Sequence, residues 1–482
     1  MPSSIELNVG HVPSPRRQRS DDGDGVAPFR VVVLGDFSGR PRAERGALAE
    51  RRAVRVDIDN FEAVFARLAP IAEIDGLQDK LGVALRIALD TMEEFSADAV
   101  LARLPVQAPA GPGAPVAAAP APASAGEPED PAALMRRLLG GSLPAGAPAL
   151  AAPAPAPSPS RPDAAIDRFI RQLAGAGVAS PAPAPEVPSH GSNDTAAALL
   201  RHVLRDPAWR HLEGAWRAVD RFVRELDMAD GDVRLELLDC RADELLADFA
   251  ATAGDPVRVA IAPVLKGDGR GCDLVVSLEE FGPSLAELSL LGGLAAAAAA
   301  QGGVLLAGAA PALAAVAASE DAQVLASNES RVWRALRESA LAPHVGLTFP
   351  RLLARLPYGP RNDPVAAFPF DELADATPGP LHDHLTWRSA ALDAALLLAQ
   401  GHGQGGVESL VQLDDLPAFI DRSGDEPRLQ AVAEAYLGER EAGALQAAGF
   451  ITLQSDRRVP SARVSGWQSI APGRADLRGS WR

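Results

Sequence analysis

The chain has 482 residues, 47% of them hydrophobic, 23% charged and 5% aromatic. That apolar share is enough for two or three domains and excludes a wholly disordered chain. A net charge of −17 argues against nucleic acid as a partner, and two cysteines, Cys240 and Cys272, exclude a disulfide framework and a cysteine-built zinc site.

Residues 1–27 are polar and read as a mobile N-terminal arm without the apolar core of a signal peptide. A first folded block is expected over 28–105. Phe29 to Leu34 is an apolar run ending at Gly35, the pattern of a buried strand. Val54, Val56 and Ile58 alternate with polar residues, as in a half-buried strand. Asp59 with Glu62 has the spacing of a capping box. The helix behind it carries Phe61, Val64, Phe65 and Leu68 on one face. Val83, Leu85 and Ile87 alternate again, and Ser96 opens a short helix with Val100, Leu101 and Leu104.

Residues 106–192 are low-complexity Ala/Pro sequence, which lacks the material for a core and reads as a linker. Two helical islands interrupt it, at 130–140 (with Leu134, Leu138 and Leu139) and at 163–174. The first has full helix punctuation, Asp130 then Pro131 at one end and Gly140 at the other. A short amphipathic helix in a tether suits a partner's groove; it also suits packing back onto its own domain.

A second block is expected over 193–470, followed by a tail at 471–482. Asn193 or Asp194 can cap a first helix through Leu204. Pro207 starts a second with Trp209, Leu212, Trp216, Val219, Phe222, Val223 and Leu226 on one face, the strongest helical stripe in the sequence. Arg210, Glu213, Arg217, Asp220 and Arg224 fall on the other, with Glu213 and Arg217 read as a surface ion pair. Strands are expected at Val233–Leu237, Val257–Val264, Leu274–Leu278 and Val304–Ala307, with helices between, including Asp243–Phe249. Leu290 to Ser319 is uncharged, but its Ala, Gly and Pro content predicts helix, buried strand and helix rather than a membrane span. The fold class is α/β, mixed α+β: a β-rich first block and an α/β second block.

The search for chemistry names no catalytic, cofactor-binding or metal-binding residue. His382 and His384 with His402 lack a third ligand at metal spacing and read as a polar loop. Gly35 to Gly39 (GDFSG) holds a serine out of place for a hydrolase elbow. Lys266 to Gly271 (KGDGRG) lacks the phosphate-loop pattern and reads as a hairpin turn. The expectation is a protein that is no enzyme and needs no cofactor.

Several motifs occur in one order. In the first block these are Phe29 to Arg40 (FRVVVLGDFSGR), Glu44-Arg45, Val56 to Glu62 (VDIDNFE) and Leu68-Ala69-Pro70. In the second they are Asp206 to Arg217 (DPAWRHLEGAWR), Val332-Trp333 with Leu336 to Ser339, and Val345 to Gly359 (VGLTFPRLLARLPYG). Phe370 to Glu372, Glu439 to Glu441 and Gly449 to Leu453 continue the series. The first block resembles the small subunit (TssB, or VipA) of the type VI secretion contractile sheath, and the second resembles the large subunit (TssC, or VipB). Glu94 to Ala97 departs from the small subunit's Asp-Phe-x-Pro motif.

The resemblance implies a natural fusion of the two subunits that folds as a joint sheath-type body. It implies a cytoplasmic tube around an inner needle, whose contraction delivers effectors. Implied partners are copies of itself or other sheath subunits, the inner tube protein, baseplate proteins and an AAA+ unfoldase of the ClpV type, with the 130–140 island near the region such an unfoldase recognises. No nucleic acid and no membrane insertion are expected. The family's large subunit continues past the point matched by Gly466 to Gln468, whereas this sequence stops at Arg482. That keeps a second reading open, a non-polymerising accessory or regulatory protein that binds sheath or baseplate subunits. The residues expected to serve core and assembly are Trp209, Leu212, Trp216, Phe61 and Phe65, together with Arg351 and Arg355, for which contact with carboxylates of the first block is weighed against a solvated face.

Overall fold

The computed structural model describes residues 28–76, 85–104, 190–226, 232–374, 381–404, 411–421, 428–430, 432–456 and 458–481. The linker islands, with Leu134, Leu138 and Leu139, lie outside the described residues. The described parts of both blocks belong to one compact unit.

In chain order the strands are β1 (Phe29–Gly35), β2 (Val54–Val56), β3 (Ile71–Ile74), β4 (Leu85–Ala88), β5 (Val233–Asp239), β6 (Leu274–Phe281), β7 (Val304–Ala309), β8 (Val345–Phe349), β9 (Leu352–Leu353), β10 (Trp387–Arg388), β11 (Gln412–Leu413), β12 (Ile420–Asp421), β13 (Arg428–Leu429), β14 (Phe450–Ser455) and β15 (Ala462–Val464). The α-helices are α1 (Phe61–Leu68), α2 (Ala97–Arg103), α3 (His190–Arg205), α4 (Pro207–Glu225), α5 (Ala242–Ala251), α6 (Ala262–Lys266), α7 (Leu285–Ala300), α8 (Pro311–Ala317), α9 (Ala322–Leu325), α10 (Asn328–Glu338), α11 (Ala390–Gln404) and α12 (Glu439–Ala447).

The principal sheet has nine strands in the order β11-β15-β14-β8-β7-β6-β1-β5-β2. From β14 through β5 every neighbouring pair is parallel. β15 and β11 add antiparallel strands at one side, and β2 adds one at the other. Helices cover both faces, so the central strands read as near-continuous apolar runs. The pleat sends alternate side chains to opposite sides. Phe29, Val31 and Val33 join one core with α1, α3, α4 and α11, while Val32 and Leu34 join the other with α5, α7, α8 and α10.

The Leu290–Ser319 stretch forms α7, β7 and α8, as its composition predicts. No described helix is long and apolar enough to cross a membrane. Instead α7 lies on the sheet, its start fixed by a reciprocal Ser284/Glu287 capping box.

Some local expectations need correction. The N-cap of α1 is Asn60, not Asp59; Asp57 and Asn60 each accept from the other's backbone N–H at 3.0 Å, and no side chain caps the helix. Ile58 lies past β2 and is exposed. Helix α3 begins at His190, ahead of the expected caps Asn193 and Asp194. Residues 257–264 form no strand. Turns lead into α6, and Val259 and Ile261 are buried beneath α5 and α7 without strand partners, with Pro256 and Pro263 each lacking a donor for a ladder. Lys266 to Gly271 is a helix-to-strand turn between α6 and β6 rather than a hairpin. Leu381–His384 is a 3-10 turn.

Candidate functional site: the seam between the two blocks

β1 comes from the first block, yet both of its neighbours come from the second. It pairs β5 from Phe29↔Val233 to Gly35↔Asp239, and β6 from Val31↔Leu274 to Leu34↔Ser277. All seven of its residues are buried. A strand paired on both sides has no free edge, so the seam is closed by backbone bonds as well as apolar area.

Above the sheet the seam is aromatic. Pro207 at the first turn and the Asp206 carboxylate, which accepts from the N–H of Ala208 at 2.9 Å and Trp209 at 3.2 Å, set the start of α4. The helical period then aims Trp209, Leu212 and Trp216 at the first block. The Trp216 ring centroid lies 4.5 Å from Phe65, 5.6 Å from Phe37 and 5.8 Å from Phe61. Its indole Nε1 donates to the Phe37 carbonyl at 2.9 Å. Trp209 packs 5.3 Å from Phe95, and its own Nε1 finds no acceptor. These rings prefer tilted and edge contacts, which add to the burial of their area.

The polar part of the seam gathers at the carboxyl ends of β1 and β5. The Asp239 carboxylate accepts from the backbone N–H of Phe37 at 2.9 Å and Ser38 at 3.0 Å, and from the Ser38 hydroxyl at 2.7 Å. Arg45 pairs with both Asp36 and Asp239. Arg51 pairs with Glu244 and donates to the Asp239 carbonyl at 3.0 Å. The GDFSG turn is thus a clamp that grips the second block. Gly39 takes a positive φ there, and a Cβ would collide with the Ile71 carbonyl. At the other end of β1, Arg30 donates to Glu236 at 2.6 Å and to the carbonyls of Val264 at 2.6 Å, Leu265 at 2.7 Å and Gly271 at 3.0 Å. The aromatic motif was evident from spacing. Arg30, Asp239 and Glu244 were missed, because their partners lie about two hundred residues away and no local period marks them.

Arg351 and Arg355 do not reach first-block carboxylates, nor does Arg355 face solvent. Arg351 pairs with Glu434, its Nε at 2.9 Å. Arg355 is buried between Glu213, at 2.8 Å, and Glu372, at 2.8 and 3.0 Å. Glu213 is therefore no surface residue: it is fully buried and also holds Arg217 at 2.8 Å. Burial alone would raise the Glu213 carboxyl; Arg355 and Arg217 outweigh it and hold it below the ordinary carboxylate value. The network still touches the first block, since Tyr358 beneath the Arg355 guanidinium donates its hydroxyl to the Phe95 carbonyl at 3.4 Å.

No group of three or more metal-ligating side chains occurs among the described residues. Cys240 and Cys272 are buried, and burial raises both thiols, to about 12 for Cys272.

The comparisons with known proteins divide at the same place as the two blocks. Residues 24–107 match the VipA family of the type VI secretion system. Residues 193–471 match the VipB family, described as EvpB/VC_A0108, tail sheath N-terminal domain. The type VI secretion system sheath protein TssC1 of Pseudomonas aeruginosa is 26% identical over 302 residues, which cover 57% of this chain and 58% of that protein. The sheath protein TssB1 of the same organism is 30% identical over 76 residues, covering 15% of this chain and 44% of that protein. The chain spans less than two-thirds of the length of either relative. It belongs to the VipB tail-sheath family and carries a VipA-type segment ahead of that domain, a TssB/TssC-like fusion on one polypeptide.

Proposed function

We propose that the chain is a structural component of a type VI secretion contractile sheath, assembling around an inner tube and contributing to contraction-driven delivery. The observation that supports this most directly is the placement of β1 between β5 and β6. The VipA-type segment does not sit beside the VipB-type domain as a separate module; it completes that domain's sheet. Matches to both sheath families support the structural reading over a non-polymerising accessory role.

The proposed partners are further copies of this chain or separate sheath subunits, then the inner tube, the baseplate and a ClpV-type unfoldase, all in the cytoplasm. A sheath subunit acts through surface and shape, so the proposed role is not enzymatic. Trp209, Leu212, Trp216, Phe61 and Phe65 hold the seam in this proposal, and Arg351 and Arg355 hold the second block's loops. The island at 130–140, with Leu134, Leu138 and Leu139, is the proposed unfoldase contact, so Leu138→Asp should abolish unfoldase binding; unchanged binding counts against that contact.

Electron microscopy of the purified chain, alone and mixed with separate sheath subunits, tests the main proposal. Tubular particles containing the chain are expected. Small monodisperse particles in both settings overturn it.

A further inference from the structure

A cavity of about 440 Å³ opens between the first turns of α4, the end of β6 and the loops after β8 and β10. Its walls include Arg210, His211, Glu280, Arg351, Ser389 and Glu434. It lies outside the aromatic seam and its existence does not depend on sheath assembly.

The floor is built around one side chain. Between the pairs Val276↔Leu306 and Glu280↔Gly308, β6 advances four residues while β7 advances two. Such a bulge re-aims the residue that follows it. Glu280 is thereby directed over Gly308, where any Cβ would collide with its carboxyl. Its Oε1 is shut off from solvent, and the Ser389 hydroxyl that faces the carboxyl interacts with it without normal hydrogen-bond geometry. Such a poorly paired buried carboxyl and hydroxyl leave hydrogen-bonding capacity for a ligand in the cavity.

The charges around the cavity are unevenly matched. Arg351 is closed by Glu434, and Arg388 by Asp393 at 2.9 and 3.0 Å. Arg210 donates to the backbone carbonyls of Asp383 at 2.6 Å and Leu385 at 3.5 Å, and has no carboxylate at ion-pair distance among the described residues. The position also fits a general rule. The chain runs from β1 to β5 in one direction along the sheet and from β6 through β7 to β8 in the other. Glu280 sits near the carboxyl end of β6, beside that reversal, where open α/β sheets take ligands.

We infer that this cavity binds an oxyanion, a carboxylate or a phosphate-type group, held by Arg210, the Ser389 hydroxyl and the Glu280 carboxyl. Burial pushes the Glu280 carboxyl up to about 8, with Arg351 and the Ser389 hydroxyl opposing and Glu434 and Glu279 adding to the rise. At neutral pH it therefore carries a proton to donate. Burial lowers the Arg210 guanidinium and Arg351 repels it, more than Glu372, Asp206 and Asp383 offset from a distance; a bound anion would favour its charged form. Asp383 and His211 are the other titratable groups on the walls.

Calorimetric titration of the full chain tests this, with sodium sulfate as the tetrahedral probe and sodium acetate as the planar one. Tighter sulfate binding identifies a phosphate-type ligand, and tighter acetate binding a carboxylate such as a partner's side chain. Saturable binding at about pH 7 should weaken by more than about tenfold at about pH 9.5, as Glu280 loses its proton. Arg210→Gln should abolish it. Glu280→Gln keeps a donor, so it should still bind but lose most of the pH dependence. The inference is overturned if neither anion gives saturable heat, leaving a water-filled cavity. It is overturned equally if Arg210→Gln binds normally, or if Glu280→Gln removes binding while high pH strengthens it in the native chain, the signature of a cation site.

Discussion

The two faces of the sheet are built on different terms. On one, the first block contributes Phe29, Val31, Val33, Phe37, Phe61, Phe65 and Phe95 to a core it shares with α4 and α11. On the other it supplies Val32 and Leu34 and little else; the layer is α5, α7, α8, α10 and α12 of the second block. The rings that join the two blocks are on the shared face; the rings of the other face, such as Trp333 and Phe450, come from the second block alone, where the small Ala295, Ala297 and Ala298 of α7 also pack. The union of the two blocks is therefore decided on one side of β1, while the opposite side is the interior of an ordinary α/β layer. Backbone pairing along β1 belongs to neither face and supports both.

This difference can be broken experimentally. The largest effect is expected from Trp216→Ala on the shared face, which should lower the unfolding free energy by about 3–5 kcal/mol, read from denaturant midpoints. Leu313→Ala on the other face should cost about 2–5 kcal/mol. The two part company after protease cleavage within residues 107–192. The native pieces should co-elute because they share a sheet, and so should those of Leu313→Ala. Those of Trp216→Ala should separate. Native pieces that drift apart while each stays folded would refute the shared interior.

Of similar size, Glu213→Ala leaves Arg355 buried with only Glu372 and should cost about 3–5 kcal/mol. Replacing Arg355 by Met together with Glu213→Gln and Glu372→Gln should cost less than this single change, because no buried charge is left unmatched. The Glu213 contribution is present above the usual carboxylate range and is lost as pH falls through its depressed folded value. Glu280 has the opposite sign. Its folded carboxyl, at about 8, holds a proton that the unfolded chain releases near 4.5, so stability should decline as pH rises between those values and level off beyond them. Glu280→Gln should flatten that slope and gain up to a few kcal/mol at about pH 8. The smallest effect is Arg224→Ala, which removes an exposed pair with Asp220 at 2.7 Å and should cost about 0.2–0.5 kcal/mol.

What could be read in the sequence followed from short-range period and punctuation. The β1 run, the Asp206-Pro207 start of α4 and the Trp209/Leu212/Trp216 stripe are all specified within one or two turns of chain. The false strand at Val257–Val264 shows the limit. Val257, Val259 and Ile261 alternate, but alternation alone does not supply a neighbouring ladder. Glu213 fails for a related reason. A helical wheel places it among Arg210 and Arg217, and nothing local reveals that Arg355, 142 residues on, closes over that face. For Arg351 neither a first-block carboxylate nor a solvated face is the outcome, since its partner Glu434 lies 83 residues away in the second block. The cavity at Glu280 was invisible because a bulge is a property of two strands together.

The position of β1 also bears on synthesis. Phe29 to Leu34 leaves the ribosome first, while Val233 and Leu274, which flank it, follow about two hundred or more residues later. At roughly 5–20 residues per second this apolar segment waits on the order of tens of seconds for its neighbours. For a small subunit made as its own chain, the delay depends on encountering a second molecule. Here it has a fixed upper bound set by translation, which shortens the period in which an unpaired strand is open to aggregation or chaperone capture.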